Sequence, residues 1–209
     1  MQYKFITVEG NIGAGKTTLS QLLQETFDAE LILEQFADNP FLPKFYKEKE
    51  RYAFPLELSF LADRYQQLKK FLTTRSLFNS YTISDYLFIK SKLFAKINLP
   101  EDEFHLYETL FDIIYPNLVK PDLIIYLHSP LQKLRQNILK RNREYEKNIP
   151  DDYLLSLQDA YLNYIKSIHI PTLVIDNESL DFLNNKEHYN NLLRLLEKEY
   201  TPGLHYVNC

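Results

Sequence analysis

The run Phe5-Ile6-Thr7-Val8-Glu9-Gly10-Asn11-Ile12-Gly13-Ala14-Gly15-Lys16-Thr17-Thr18 passes from an apolar segment through a glycine-rich turn into a helix-forming sequence. From Gly10 onward it satisfies the phosphate-binding P-loop pattern G-x-x-x-x-G-K-[ST] at every fixed position. Glycines at 10, 13 and 15 let the backbone curl until successive N–H groups face one anion. Lys16 then reaches the β- and γ-phosphates, Thr17 offers its hydroxyl to Mg²⁺, and the helix opening here points its positive end at the nucleotide. The context agrees: Tyr3 to Val8 reads as a strand, and Leu19, Leu22, Leu23 and Phe27 mark one face of the following helix. The expected contacts to a nucleoside triphosphate are Gly10, Asn11, Ile12, Gly13, Ala14, Gly15, Lys16, Thr17 and Thr18.

The 209 residues fit one domain, residues 1–209, and 45% hydrophobic with 25% charged content is ordinary for a globular protein. A net charge of −4 provides no general basic field, so no nucleic-acid partner is expected and the substrate is read as small. A P-loop starting at residue 10 leaves no room for a targeting peptide, and no apolar run approaches the ~20 residues that span a membrane. The expected location is therefore the cytoplasm, with no membrane partner. Cys209 is the sole cysteine, so an internal disulfide is excluded.

Beyond the first helix, Glu30 to Glu34 reads as a buried strand ending in a carboxylate, and Asn79 to Asp85 repeats the pattern. The C-terminal ends of parallel strands face the ligand crevice, which directs Glu34 and Asp85 toward Lys16. Asp85 is then placed to hold Mg²⁺ opposite Thr17. On position alone, a solvated strand-end glutamate is the alternative for Glu34. Residues 44–70 have helical periodicity, with Leu58, Leu61, Tyr65, Leu68 and Leu72 as an apolar stripe, and 103–119 follow suit. Pro121 to Leu127 has the apolarity of a fully buried strand, and Ser129-Pro130 starts a helix leading into Lys140-Arg-Asn-Arg-Glu-Tyr-Glu-Lys147. That charge run is either a solvated face or a supply of arginines for a phosphoryl-transfer site. Helices over 151–168 and 189–199 flank a last strand at 172–175. Strands at 3–8, 30–34, 80–84, 122–127 and 172–175 alternating with helices predict an α/β, P-loop NTPase-type three-layer fold with a five-stranded parallel sheet. The tail from Thr201 is expected to be partly loose.

In this order of motifs the chain resembles the deoxynucleoside kinase family, P-loop enzymes that phosphorylate the 5′-hydroxyl of deoxynucleosides, the bacterial deoxyadenosine/deoxyguanosine kinases in particular. The resemblance implies ATP as donor, Mg²⁺, and a homodimer, which the surplus apolar stripes on the helices at 53–72 and 103–119 also favour. It implies Glu34 as general base, Tyr46 on the sugar 3′-hydroxyl, Glu57 where a base-reading glutamine is usual, and Arg64 seven residues on. Arg141, Arg143 and Glu146 resemble a lid, about 140–150, whose arginines embrace the transferred phosphoryl while Glu146 helps hold the 3′-hydroxyl. Phe36 and Phe41 are expected to line the substrate pocket. One departure is Ser84-Asp85-Tyr86, where the family's pattern has an arginine after the acid; Lys90 or Lys92 is the available substitute.

The other departure is Glu57. An ionised glutamate offers only acceptors, and guanine alone among the common bases offers two adjacent donors. Arg64 is then expected to keep Glu57 ionised and donate to guanine O6. A neutral Glu57, or one bonded to a single exocyclic amino group, favours adenine or cytosine instead. Two other functions share the fold: a nucleoside monophosphate kinase, for which no arginine follows Glu34 to bind a second phosphate, and a non-catalytic nucleotide-binding structural relative. A P-loop ATPase working on a macromolecule is disfavoured by the acidic balance and short length.

Overall fold

The computed structural model describes residues 2–35, 39–74 and 81–209, without the side chains of 71–74. Strand β1 (Phe5–Gly10) is buried at all six positions, as a strand covered on both faces must be. Helix α1 (Lys16–Phe27) leads to β2 (Glu30–Ile32), short helix α2 (Leu42–Phe45), long helix α3 (Lys49–Thr74) and β3 (Thr82–Ser84). Then come α4 (Lys90–Asn98), α5 (Glu101–Ile114), β4 (Leu123–His128), α6 (Leu131–Arg141), α7 (Asp151–Ser167), β5 (Pro171–Asp176), α8 (Lys186–Leu196) and β6 (Gly203–Val207).

All strand pairings are parallel, in the order β2-β3-β1-β4-β5-β6. Strand β4 shows how the layers form. Leu123, Ile125 and Leu127 face one core with Leu19 and Leu23 of α1, Leu134 of α6 and Leu192 of α8. Ile124 faces the other, with Leu56 and Leu61 of α3 and Phe111 of α5, and Tyr126 meets Tyr161 and Ile165 of α7. The period-two alternation thus feeds both faces. Truncating one of these leucines to alanine would cost about 2–5 kcal/mol.

The three-layer α/β fold agrees with the sequence reading, but the sheet has six strands among the described residues. The tail expected to be loose forms β6, paired in register with β5 from Pro171↔Gly203 to Ile175↔Val207. As an edge strand it packs on both faces only partly: Leu204 touches one core, Val207 and Cys209 the other, and Tyr206 is exposed. Such a short run carries little periodicity. Helix α4, only nine residues long, is too short for its periodicity to mark it in the sequence. The single helix expected over 44–70 is broken at 46–48, between α2 and α3. In the α3 stripe, Leu61 and Leu68 are buried and Leu58 is exposed; the Leu72 side chain, Phe36, and Asn79 and Ser80 at the start of the predicted third strand lie outside the described residues.

Candidate active site

The P-loop joins β1 to α1 at the C-terminal edge of the sheet. Gly13 has φ +83°, and a Cβ there would stand 2.8 Å from the Leu134 carbonyl oxygen of α6, so only glycine allows the helix this close. Gly15 has φ +92° with open space around it, so its constraint is the backbone. Side-chain amides tie the loop's carbonyls back: Asn137 Nδ2 donates to Gly13 O at 2.7 Å and Asn177 Nδ2 to Ala14 O at 3.0 Å. Asn11 anchors the loop to α7 through Leu154 O. Lys16 Nζ donates to Asn11 O at 2.9 Å, and burial, reinforced by the charge of Lys90, lowers its pKa to about 8. Ile12 lies on the pocket wall with Lys16 and Thr17, while Thr18 sits half-buried in the first turn of α1.

Asp85, immediately after β3, connects the strand ends. Its Oδ2 accepts from Thr17 Oγ1 at 2.5 Å and its Oδ1 from the Glu34 backbone N at 2.7 Å. One hydroxyl and one carboxylate side by side make an oxygen donor pair of the kind that Mg²⁺ shares with phosphates and water. Glu9, which the sequence reading passed over, is fully buried at the end of β1 and accepts from Gly10 N and Leu87 N, both at 2.9 Å, fixing the turn that leads to Lys90.

Glu34 is the centre of a buried charge cluster. Its Oε1 accepts from Arg64 Nε at 3.0 Å and Nη2 at 2.5 Å, and its Oε2 from Lys90 Nζ at 2.6 Å. Burial alone would raise the Glu34 pKa, but the charges and hydrogen bonds of Lys90 and Arg64 outweigh it and hold the carboxyl well below the ordinary range. Of the two lysines open as substitutes for the arginine, the structure brings in Lys90. Lys92 instead pairs with Glu108 and Asp112 at the surface.

Arg64, expected to keep Glu57 ionised, makes its hydrogen bonds elsewhere; its charge still favours the ionised Glu57, but burial outweighs it. Two of its nitrogens are on Glu34, and the third, Nη1, donates to Ser91 Oγ at 2.7 Å. The reason is distance: seven residues are two helical turns, about 10 Å along α3. Glu57 accepts instead from Asn98 Nδ2 at 2.7 Å, and burial pushes its pKa up to about 7.

Opposite, Asn142 ends α6 in the left-handed region with φ 59°, turning Arg143 back toward Arg141. Both arginines converge on the buried Glu146, Arg143 Nη1 at 3.1 Å, so the charge run is not merely a solvated face. Tyr46 stacks on Tyr145 with centroids 5.8 Å apart, and burial with the nearby Glu146 charge keeps its hydroxyl neutral far above ordinary pH. Lys16, Thr17, Glu34, Tyr46, Glu57, Arg64, Asp85, Arg141, Arg143 and Glu146 all line one pocket. Phe41 packs against the neighbouring core, and Phe45, Phe60 and Phe94 provide the aromatic wall. Asn98, Tyr153 and Lys90 complete the lining; sequence periodicity offered no signal for Asn98 or Tyr153.

The arrangement sets a triphosphate cradle beside a fixed carboxylate and a pair of lid arginines, the parts of a phosphoryl-transfer site. Comparison with known proteins agrees. The family model described as deoxynucleoside kinase matches residues 6–200. A deoxyguanosine kinase of Bacillus subtilis is 35% identical, covering 90% of this chain and 93% of its own. A deoxyadenosine kinase of Lactobacillus acidophilus is 29% identical over 93% of this chain and 95% of its own. A solved deoxyadenosine kinase from M. mycoides with the products dCMP and dCDP superposes with a TM-score of 0.80 at 24% identity, covering 92% of this chain and 98% of that one, a likeness of fold. With the family model spanning nearly the whole chain and the site in place beneath it, the protein belongs to the deoxynucleoside kinase family.

Proposed function

We propose that this kinase transfers the γ-phosphoryl group of ATP to the 5′-hydroxyl of a purine deoxynucleoside. The observation that carries the reading is the single pocket in which Lys16 and Thr17, the Glu34 cluster, and the lid arginines meet. Lys16 binds the β- and γ-phosphates. Thr17 and Asp85 are the residues that would hold Mg²⁺, which supplies charge neutralisation on those phosphates. Glu34, oriented by Arg64 and Lys90, accepts a hydrogen bond from the 5′-hydroxyl and takes its proton as the bond to phosphorus forms. A carboxylate held this strongly ionised suits a loose transition state in which the proton leaves late. Arg141 and Arg143 turn from Glu146 onto the transferring group, while Tyr46 and Glu146 hold the 3′-hydroxyl.

Relatives named for deoxyguanosine and deoxyadenosine support a purine substrate. Exposed Leu106 and Ile113 lie seven residues apart on α5, and α3, which contacts α5, exposes Leu58; these support a homodimer through α3 and α5. A panel of deoxynucleosides and deoxynucleoside monophosphates assayed with ATP and Mg²⁺ tests the function: purine deoxynucleosides should be consumed best. Faster turnover of monophosphates would replace this reading with that of a monophosphate kinase.

A further inference from the structure

Taken with the proposed function, on which it rests, the substrate pocket contains a polar corner that the phosphoryl-transfer chemistry does not use. Three helices build it: Glu57 comes from α3, Asn98 is the last residue of α4, and Tyr153 lies in the first turn of α7. The Glu57 residue is 1% exposed and Asn98 8%. Glu57 stands two helical turns from Arg64, so the corner lies about 10 Å along α3 from the residue that orients Glu34. That is the direction in which a nucleoside extends from its 5′-hydroxyl to its base.

The hydrogen bonds leave a definite remainder. Asn98 Nδ2 donates to Glu57 Oε1 at 2.7 Å and to the Tyr153 hydroxyl at 3.0 Å, which commits both amide hydrogens. With Glu57 ionised, the form that reads the base, the reversed amide would set its oxygen against the carboxylate, so the partners determine its orientation. Two acceptors remain without a partner, Glu57 Oε2 and Asn98 Oδ1. The Tyr153 hydroxyl, having accepted from Asn98, keeps its own proton to donate. A buried acceptor without a donor is costly, and where its residue lines a ligand pocket the ligand is the natural source of that donor.

Two acceptors and one donor, on three residues joined by the Asn98 bonds, are the complement of a base edge with two neighbouring donors and one acceptor. Guanine has that edge in its N1–H, 2-amino group and O6. Adenine has one donor, its 6-amino group, beside the acceptor N1, and hypoxanthine lacks the 2-amino group. We propose that Glu57, Asn98 and Tyr153 read the Watson–Crick edge of guanine together, with the two orphaned oxygens taking N1–H and the 2-amino group and the tyrosine donating to O6. Asn98 is the pivot: it holds Glu57 in place, fixes the tyrosine and supplies the second acceptor. The donor to O6 is then Tyr153, because Arg64 is turned onto Glu34 and Ser91, two helical turns from this corner.

The test compares kcat/KM for deoxyguanosine, deoxyinosine and deoxyadenosine. In the unaltered enzyme deoxyguanosine should exceed deoxyinosine by about tenfold or more, the worth of one buried acceptor left without its donor. Asn98→Ala should bring that ratio to within about threefold of unity, chiefly through the KM for deoxyguanosine, and Tyr153→Phe should weaken deoxyguanosine and deoxyinosine alike. Equal use of deoxyguanosine and deoxyinosine by the unaltered enzyme overturns the inference without any variant having to fold, and so does an unchanged ratio in Asn98→Ala. If deoxyadenosine is phosphorylated well while the other two are equally poor, the kinase assignment stands and only the base reading falls. Failure to phosphorylate any deoxynucleoside removes both.

Discussion

Replacing Glu34 with glutamine separates what this residue does for the fold from what it does for the reaction. The carboxylate accepts three charge-assisted bonds, two from Arg64 and one from Lys90, and the side chains of the three residues are 13%, 4% and 7% exposed. In Glu34→Gln the amide oxygen can stay on Arg64, but its NH₂ group then faces the Lys90 ammonium, donor against donor. Removing the anion from a buried cluster costs about 3–5 kcal/mol, because two cations lose their compensation. For a domain of this size that lowers Tm by roughly 6–20 °C. The turnover loss is expected at about 10²–10⁴ in kcat, the range for losing a general base. Glu34→Asp keeps the charge and most of the stability, yet withdraws the carboxylate by one methylene and should still lose about 10²-fold in kcat through misplacement. Differential scanning calorimetry and steady-state kinetics on both variants read the two effects. A depressed carboxylate pKa contributes stability that is present above the unfolded value of 4.5 and lost as pH falls through the folded one; Glu34→Gln should therefore flatten the acid limb of the stability profile. A Glu34→Gln protein with unchanged Tm would refute the cluster, and an unchanged kcat with raised KM would make Glu34 a binding group.

Lys90→Met should lower kcat/KM by about 10–10² while Lys90→Arg retains most of it, because one cation on Glu34 Oε2 is what the site requires; Lys92→Met, which removes the ion pairs to Glu108 and Asp112 away from the pocket, serves as the control, and equal effects of the two methionine variants would reject the assignment. Lys16→Ala should abolish phosphoryl transfer with the circular dichroism spectrum intact; wild-type turnover in the folded variant would reject the P-loop assignment. Glu57 has a pKa raised to about 7 by burial, so its protonated form is favoured by folding: its contribution to stability is complete below about 4.5 and is lost as pH rises through about 7. Only the ionised form presents two acceptors, so the deoxyguanosine to deoxyadenosine ratio of kcat/KM should rise as pH is raised from 6 to 8; the other charged and titratable groups around it are Glu34, Tyr46, Lys49, Arg64, Lys90, Tyr107 and Tyr153, and a flat profile would show Glu57 in one ionisation state throughout. Light scattering at micromolar concentration should give a dimer mass that Ile113→Asp converts to a monomer, and a monomeric parent protein would reject the α3–α5 interface.

The parts of this site legible in the sequence are those whose geometry is local. The P-loop needs glycines at fixed offsets, and the carboxylates at 34 and 85 follow from the rule that parallel strands end at the crevice, so the positions of Lys16, Thr17, Glu34 and Asp85 need no knowledge of packing. Partner choice is not legible where it depends on which elements pack together. Glu57 and Arg64 share a face of α3 seven residues apart, close enough for the charge of Arg64 to act on Glu57 but beyond the three or four residues at which helix side chains meet. Arg64 therefore turns to a carboxylate 30 positions away in sequence and across the crevice. That leaves Glu57 to the end of α4, a helix of nine residues, too short for its periodicity to be read. The same logic explains Lys90: its place on Glu34 depends on the turn after β3, which the buried Glu9 ties down through Leu87 N. A strand-end rule can locate the acid, but only the packed turn decides which nearby cation reaches it. The charge on Glu34 is thus set from β1, α3 and the start of α4 at once, and a substitution at Glu9, which lines no part of the pocket, should disturb phosphoryl transfer through the position of Lys90.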